Sequence, residues 1–341
     1  MCLLGFTTGP LRSHPTAQAC AVGTPRRHPN AAAALGTPRC RGPKKSRSKA
    51  RYDQSSFNGY GPLVIDPATT VGHVHLTISH LDRSVRFYEA HLGFTVQRRD
   101  ERTAFLGAGG PDLLVLSQCE DAPRVRGTTG LYHFAILVPS RRDLGRALRR
   151  MVESDTVLQG VADHGVSEAL YLADPDGNGI EVYRDRPRAE WPIVNGRLQM
   201  GADPLDLDRI LAEDSGGDGH GLAPGTVIGH VHLHVSRLAD AERFYVDVLG
   251  FELMQRYGPS ALFVSAGGYH HHIGLNTWAG VGAPPPPPGA IGLRHFAVKL
   301  PAEAARADVA ARLRSASVPF DTTPDGLLVH DPAGNAILFA L

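Results

Sequence analysis

From Val71 to Ser79 apolar and polar residues alternate, the period-two pattern of a half-buried strand. Directly after it, Leu81, Val85, Tyr88 and Leu92 recur at helical spacing, and Gly93 supplies the left-handed residue on which a helix ends. The same pattern returns 157 residues later, from Ile228 to Phe251, with Gly250 in the place of Gly93. A fainter copy lies inside each half. Leu131–Val138 and Leu293–Leu300 read as strands, followed by helical stretches at Asp143–Glu153 and Glu303–Ser315. Each then leads to an Asp-Pro-x-Gly-Asn turn, at Asp174 and Asp331.

Repeats of this kind decide the architecture before any single residue does. They predict an α+β protein of four βαβββ modules, starting near residues 71, 131, 228 and 292. Sheets built from such modules curve around a cavity lined by alternate residues. The expected organisation is a disordered basic tail over 1–69, two modules over 70–186, a linker over 187–226, and two modules over 227–341. The linker is polar, becomes glycine-rich toward its end, and has room for a short helix around Leu205–Ala212. Pro284–Pro288 reads as a stiff spacer. The Asp174 and Asp331 turns read as structural, because proline sets one turn position and the following glycine accommodates the bend. The basic outer face of the helix around Arg141–Arg150 reads as solvated.

Charge changes the picture mainly at the N-terminus. The chain of 341 residues has a net charge of +1, yet residues 1–52 carry ten Lys/Arg and no acidic residue. The remainder has 25 basic against 34 acidic side chains, a net −9, which disfavours a nucleic-acid groove. The Arg-rich leader reads as a disordered tail or an upstream start, with a transit peptide as the alternative. Three of four cysteines (Cys2, Cys20, Cys40) lie in it, leaving Cys119 alone in the body, where no disulfide framework can form. No apolar run has the length of a membrane helix. A cytoplasmic protein without nucleic-acid or membrane partners is expected, with homo-oligomerisation left open.

The chemistry concentrates in one stretch. Between Ala162 and Glu181, His164, Tyr171 and Glu181 surround the tight turn at Asp174–Gly177. A carboxylate inside the apolar run Gly-Ile-Glu-Val-Tyr is costly to bury without a cation. The repeats resemble the vicinal oxygen chelate superfamily, which includes glyoxalase I, bleomycin and fosfomycin resistance proteins, and extradiol ring-cleaving dioxygenases. The resemblance covers roughly residues 71–341, and the two halves look like a two-domain catechol 2,3-dioxygenase. The extradiol signature is matched by His164, Leu170-Tyr171, Asp174-Pro175, Gly177 and Glu181, with Ala162 where the family prefers another residue type.

That resemblance implies two glyoxalase-like half-barrels and one iron site made of two histidines and a carboxylate, with positions left for a diol and O2. By position His133 and Glu181 look like two of the ligands. His230 and His73 are equivalent candidates for the third. The fourth module keeps His295 but has Leu338 where Glu181 stands, so one complete site is expected at most. The family also implies a histidine near O2, late in the module that donates the first ligand. Tyr269-His-His-His-Ile-Gly-Leu275 is much like that histidine-rich strand, with His271 the best match. Pairing the second module with the third assembles His230, His133 and Glu181 around the metal, with His271, His164 and Tyr171 around substrate and oxygen. Pairing the first with the second would use His73 instead, and the crossed pairing is preferred.

The implied activity is Fe(II)-dependent (or Mn(II)-dependent) insertion of O2 beside the hydroxyls of a small aromatic diol, giving a hydroxymuconic semialdehyde. Two alternatives stand beside it: a non-catalytic drug-binding protein, and a glyoxalase-like enzyme using Zn, Ni or Mn. A lone strand histidine is ordinarily a hydrogen-bonded core residue. Accordingly His75 and His232 read as second to the ligand candidates or as surface residues, with lining of the cavity as the alternative. For Tyr171 the plainer reading is simple core packing.

Overall fold

The computed structural model describes residues 64–214, 216 and 221–341. The basic leader and its three cysteines lie outside the described residues. Ile65 is buried and its N–H donates to the carbonyl of Gly250.

Each module is a strand, a helix and three further strands. The first holds β1 (Thr70–Ile78), α1 (Leu81–Phe87), β2 (Thr95–Arg99), β3 (Thr103–Gly107) and β4 (Asp112–Gln118). The second holds β5 (Gly130–Leu137), α2 (Arg141–Glu153), β6 (Gly160–Asp163), β7 (Ser167–Ala173) and β8 (Gly179–Asp185). Between the halves come a hairpin, β9 (Ile193–Val194) and β10 (Arg197–Leu198), and the short helix α3 (Leu207–Glu213). The third module holds β11 (Val227–His234), α4 (Leu238–Glu242), β12 (Glu252–Tyr257), β13 (Ala261–Ser265) and β14 (Ile273–Asn276). The fourth holds β15 (Gly292–Lys299), α5 (Glu303–Ser315), β16 (Phe320–Thr323), β17 (Gly326–His330) and β18 (Ala336–Ala340).

In every module the first strand pairs in parallel with the last. Parallel neighbours need a long crossover, and the intervening helix and hairpin supply it. Two eight-stranded mixed sheets result, and each draws one module from each half of the sequence. One runs β16-β17-β18-β15-β1-β4-β3-β2, the other β12-β13-β14-β11-β5-β8-β7-β6. Their central seams are antiparallel, β1 with β15 and β5 with β11. The second module is thus paired with the third, and the first with the fourth.

Alternation decides which way each side chain goes. On β1, Val74, Leu76 and Ile78 enter the core shared with Leu81, Val85, Tyr88 and Leu92, while His73 and His75 take the opposite face. After α1 the helix widens into a π-type turn, Tyr88–Leu92, that closes on Gly93 in the left-handed conformation (φ 78°). A similar turn, Arg243–Val248, follows α4. From these turns the hydroxyl of Tyr88 donates to Asp174 Oδ2 at 2.9 Å and that of Tyr245 to Asp331 Oδ2 at 3.1 Å. Each aspartate also accepts backbone N–H groups of its own turn. The turns are structural as expected, and they bind together the modules that the sheets separate.

Helix α2 departs from expectation. Its arginines are not simply solvated: Arg141 pairs with Glu168 and Glu213, and Arg149 with Asp214. Arg150 donates to the carbonyls of Leu92 and Gly221. The linker supplies α3 and Asp214 as partners, which a helix read in isolation lacks. The proline run is anchored at its start, where the carbonyl of Pro284 accepts from Thr129 N–H.

Candidate metal centre

The seam between β5 and β11 brings the chemistry together. His230 lies opposite Ala135 on β5, and Ala135 lies opposite Glu181 on β8, so three strands contribute one row. His133 stands two residues before Ala135 and therefore projects from the same face. Ala135 is the small residue at the middle of this arrangement, and the three larger side chains converge over it. His133, Glu181 and His230 are 6%, 2% and 2% exposed.

Glu181 Oε2 lies 3.0 Å from His133 Nε2 and 3.1 Å from His230 Nε2, and the two nitrogens are 3.4 Å apart. Two ligands bound at right angles, each about 2.1 Å from one ion, would sit about 3.0 Å apart. The triangle therefore has the dimensions of one face of a coordination shell. Its charge agrees. Burial lowers His230 to about 4, with the charge of Glu181 opposing, so the imidazole is neutral. Burial alone would raise Glu181, but its two imidazole partners overcome that and hold it well below the usual carboxylate range. The carboxylate beside the neutral His230 imidazole is a buried negative charge, which a divalent cation would offset.

Around the triangle, Tyr171 on β7 lies opposite Glu181 on β8. Its hydroxyl is 2.7 Å from His164 Nε2, while His164 Nδ1 is 2.7 Å from the carbonyl of Gly201. A carbonyl only accepts, so His164 Nδ1 donates to Gly201, while its Nε2 shares a hydrogen bond with the Tyr171 hydroxyl. Burial first, and then the charge of Glu181, raise Tyr171 well above the ordinary tyrosine range, so it stays a neutral phenol.

The His270–His272 run is a correction. It is a loop, and β14 begins only at Ile273. Strand alternation therefore does not apply, and all three rings are buried. His271 packs against His230 with ring centroids 4.1 Å apart. His270 turns to Asp185, and His272 Nδ1 accepts from Ala266 N–H.

His73 goes elsewhere. It meets His295 in the other sheet, Nε2 to Nε2 at 3.2 Å, with Leu338 where the second module has Glu181. His75 bonds Ser117 Oγ at 2.8 Å. His232 is more buried than its surface reading allowed. Its ring lies 5.0 Å from that of His133, and its Nε2 is buried without a hydrogen-bond partner among the described residues. Burial drives its pKa well down. Gly274, beside it on β14, is required there, because a Cβ would come within 2.8 Å of the His232 ring.

Three groups in this shell escaped the sequence reading: Tyr183, Asp185 and Tyr269. Tyr183 O and Tyr269 O are 2.8 Å apart, and Tyr269 O–H donates to Asp185. Glu181, Tyr183 and Asp185 share a face of β8, so period-two alternation from Glu181 was the available signal for the first two. Tyr269 heads the histidine-rich run, but nothing local in the sequence gives it a role of its own.

The profile of the Glyoxalase/Bleomycin resistance protein/Dioxygenase superfamily matches residues 70–182 and 227–339. The chain is 46% identical over 275 residues to a catechol-2,3-dioxygenase of Bacillus subtilis (strain 168), covering 79% of this chain and 96% of that one. It is 29% identical over 154 residues to biphenyl-2,3-diol 1,2-dioxygenase 2 of Rhodococcus globerulus, covering 43% and 73%. Glyoxalase I from Zea mays is similar in fold, with a TM-score of 0.50, 17% identity, and coverage of 80% and 92%.

Proposed function

The chain belongs to the glyoxalase/bleomycin resistance protein/dioxygenase superfamily, and from that premise we propose that it is an extradiol dioxygenase. The substrate would be a small catechol, the metal Fe(II), and the product a hydroxymuconic semialdehyde. What carries this reading is the 46% identity across 96% of a catechol-2,3-dioxygenase, in a chain whose described residues hold a buried His-Glu-His triangle.

His133 Nε2, His230 Nε2 and Glu181 Oε2 would hold the ion. Bound there, Fe(II) supplies a Lewis-acidic, redox-active centre for the two adjacent oxygens of a diol and for O2. The protein's own groups do the rest. Tyr171 is a neutral phenol, suited to hydrogen-bonding a diol oxygen and to moving a proton there. His164 holds that hydroxyl in place and orients the ring. His271 lies beside His230, on the side assigned to oxygen and to the later proton transfer. The buried walls exclude water that would compete for the open positions.

The test is oxygen uptake by protein loaded anaerobically with Fe(II), given catechol and then air. Uptake matched to ring-opened product is expected. Iron bound without uptake across several catechols would favour a glyoxalase-like enzyme instead. Glu181→Ala is expected to lose iron and activity together; unchanged metal content would leave a non-catalytic binder.

A further inference from the structure

The sheet formed by the first and fourth modules keeps two imidazoles face to face. His73 on β1 and His295 on β15 hold the places that His230 and His133 hold in the metal sheet, and their Nε2 atoms are 3.2 Å apart. The third place is apolar, because Leu338 on β18 lies opposite Ala297 as Glu181 on β8 lies opposite Ala135. Leu328 likewise stands opposite Leu338 where Tyr171 stands opposite Glu181.

Negative charge enters this pair from two other positions. Asp112 begins β4, two residues before Leu114, the partner of Val74. His271 has the same relation to Ile273, the partner of Val231. Asp112 Oδ2 pairs with Arg98 at 2.6 Å, but its Oδ1 is buried without a hydrogen-bond partner among the described residues. Asp325 stands in the turn between β16 and β17, which Thr323 and Gly326 close. Burial lowers the pKa of His73, and the charges of Asp112 and Asp325 oppose it. Burial, then His73 and Arg294, lower His295 to about 4, and Asp325 opposes them as well.

We propose that His73 Nε2 and His295 Nε2 bind a second divalent ion, zinc, whose remaining positions are filled by water held by Asp112 and Asp325. Imidazole donors suit zinc, copper and nickel rather than magnesium or calcium. With bonds of about 2.05 Å, a 3.2 Å separation subtends about 103° at the ion, near the tetrahedral angle that zinc adopts. The orphaned Asp112 oxygen gains a donor when a metal-bound water lies beside it. Such an ion clamps β1 to β15, the seam on which the first and fourth modules meet. The proposal does not rest on the dioxygenase reading.

The experiment is equilibrium dialysis of the full chain against micromolar zinc, followed by metal analysis. It uses His133→Gln/Glu181→Ala, which removes two donors of the first centre. One zinc per chain is expected, and it should disappear when His73→Gln or His295→Gln is added. Asp325→Asn, at an exposed turn, should weaken zinc binding about 10–100-fold, as loss of a partner to the bound water does. No zinc in the starting protein, or zinc retained without His73 and His295, overturns the proposal. Wild-type crystals grown with zinc give a second readout that needs no variant to fold. An anomalous scattering peak between His73 and His295 is expected, and its absence overturns the proposal. Neither readout uses iron, catechol or oxygen, so failure here is separate from failure of the dioxygenase reading.

Discussion

Single residues here matter less for the bonds they make than for the room they leave. Ala135 lies between the strands bearing His230 and Glu181, and Gly274 gives up its side-chain space to His232. Gly229 does the same for Tyr183, since a Cβ there would come within 1.8 Å of the hydroxyl. Gly274→Ala should displace the His232 ring and cost about 1–3 kcal/mol, the usual penalty for overpacking. Urea unfolding measures the cost, and unchanged stability with an unmoved ring in a crystal structure would refute it. Tyr88→Phe removes one bond to a buried carboxylate that keeps its other donors. It should cost about 1–2 kcal/mol in the same measurement.

Between elements, the strongest polar tie is on the helix-covered side of the second module. Glu168 on β7 is buried and takes Arg141 from α2 at 2.8 Å, Arg184 from β8 at 2.6 Å and Arg186, just after β8, at 3.3 Å. Removing this anion strips Arg141, Arg184 and Arg186 of a shared partner, although Arg141 keeps Glu213 and Arg186 keeps Asp163. Glu168→Ala should therefore destabilise by about 1–3 kcal/mol, less than breaking a fully buried ion pair costs. A loss below about 1 kcal/mol would mean that water reaches the arginines. The metal triangle is remote from these charges, so iron content per folded molecule is expected to stay the same.

For the whole molecule, buried and half-buried histidines set the acid limit. Burial is the first cause lowering His75 to about 3 and His272 and His295 to about 4. Each has a folded pKa below its unfolded value, so the folded state binds fewer protons. Their contribution is fully present above about pH 6.5 and is lost as pH falls through the folded values. Metal-free protein should thus unfold at progressively lower temperature between pH 6.5 and 4. Each such histidine adds a slope of up to about 1.4 kcal/mol per pH unit. A flat melting temperature over that range would show that these rings are already solvated in the fold. Among the described residues no helix is long and apolar enough to cross a membrane.

Much of this was legible in the chain because it is periodic. Alternation located β1, β5, β11 and β15; helical spacing located the helices that follow them; and the repeated Asp-Pro-x-Gly-Asn turns marked the ends of the second and fourth modules. Even the donor types were visible, since a glutamate in an apolar strand calls for a cation. Partnership was a different matter. Whether His73 or His230 joins His133 depends on which first strands form a seam, and that is a contact between residues about a hundred positions apart, which no local pattern encodes. The same holds for the arginines of α2, which meet the linker, and for Asp185 and His270, whose hydrogen bond exists only because β8 and the loop before β14 are carried to one place by two different modules.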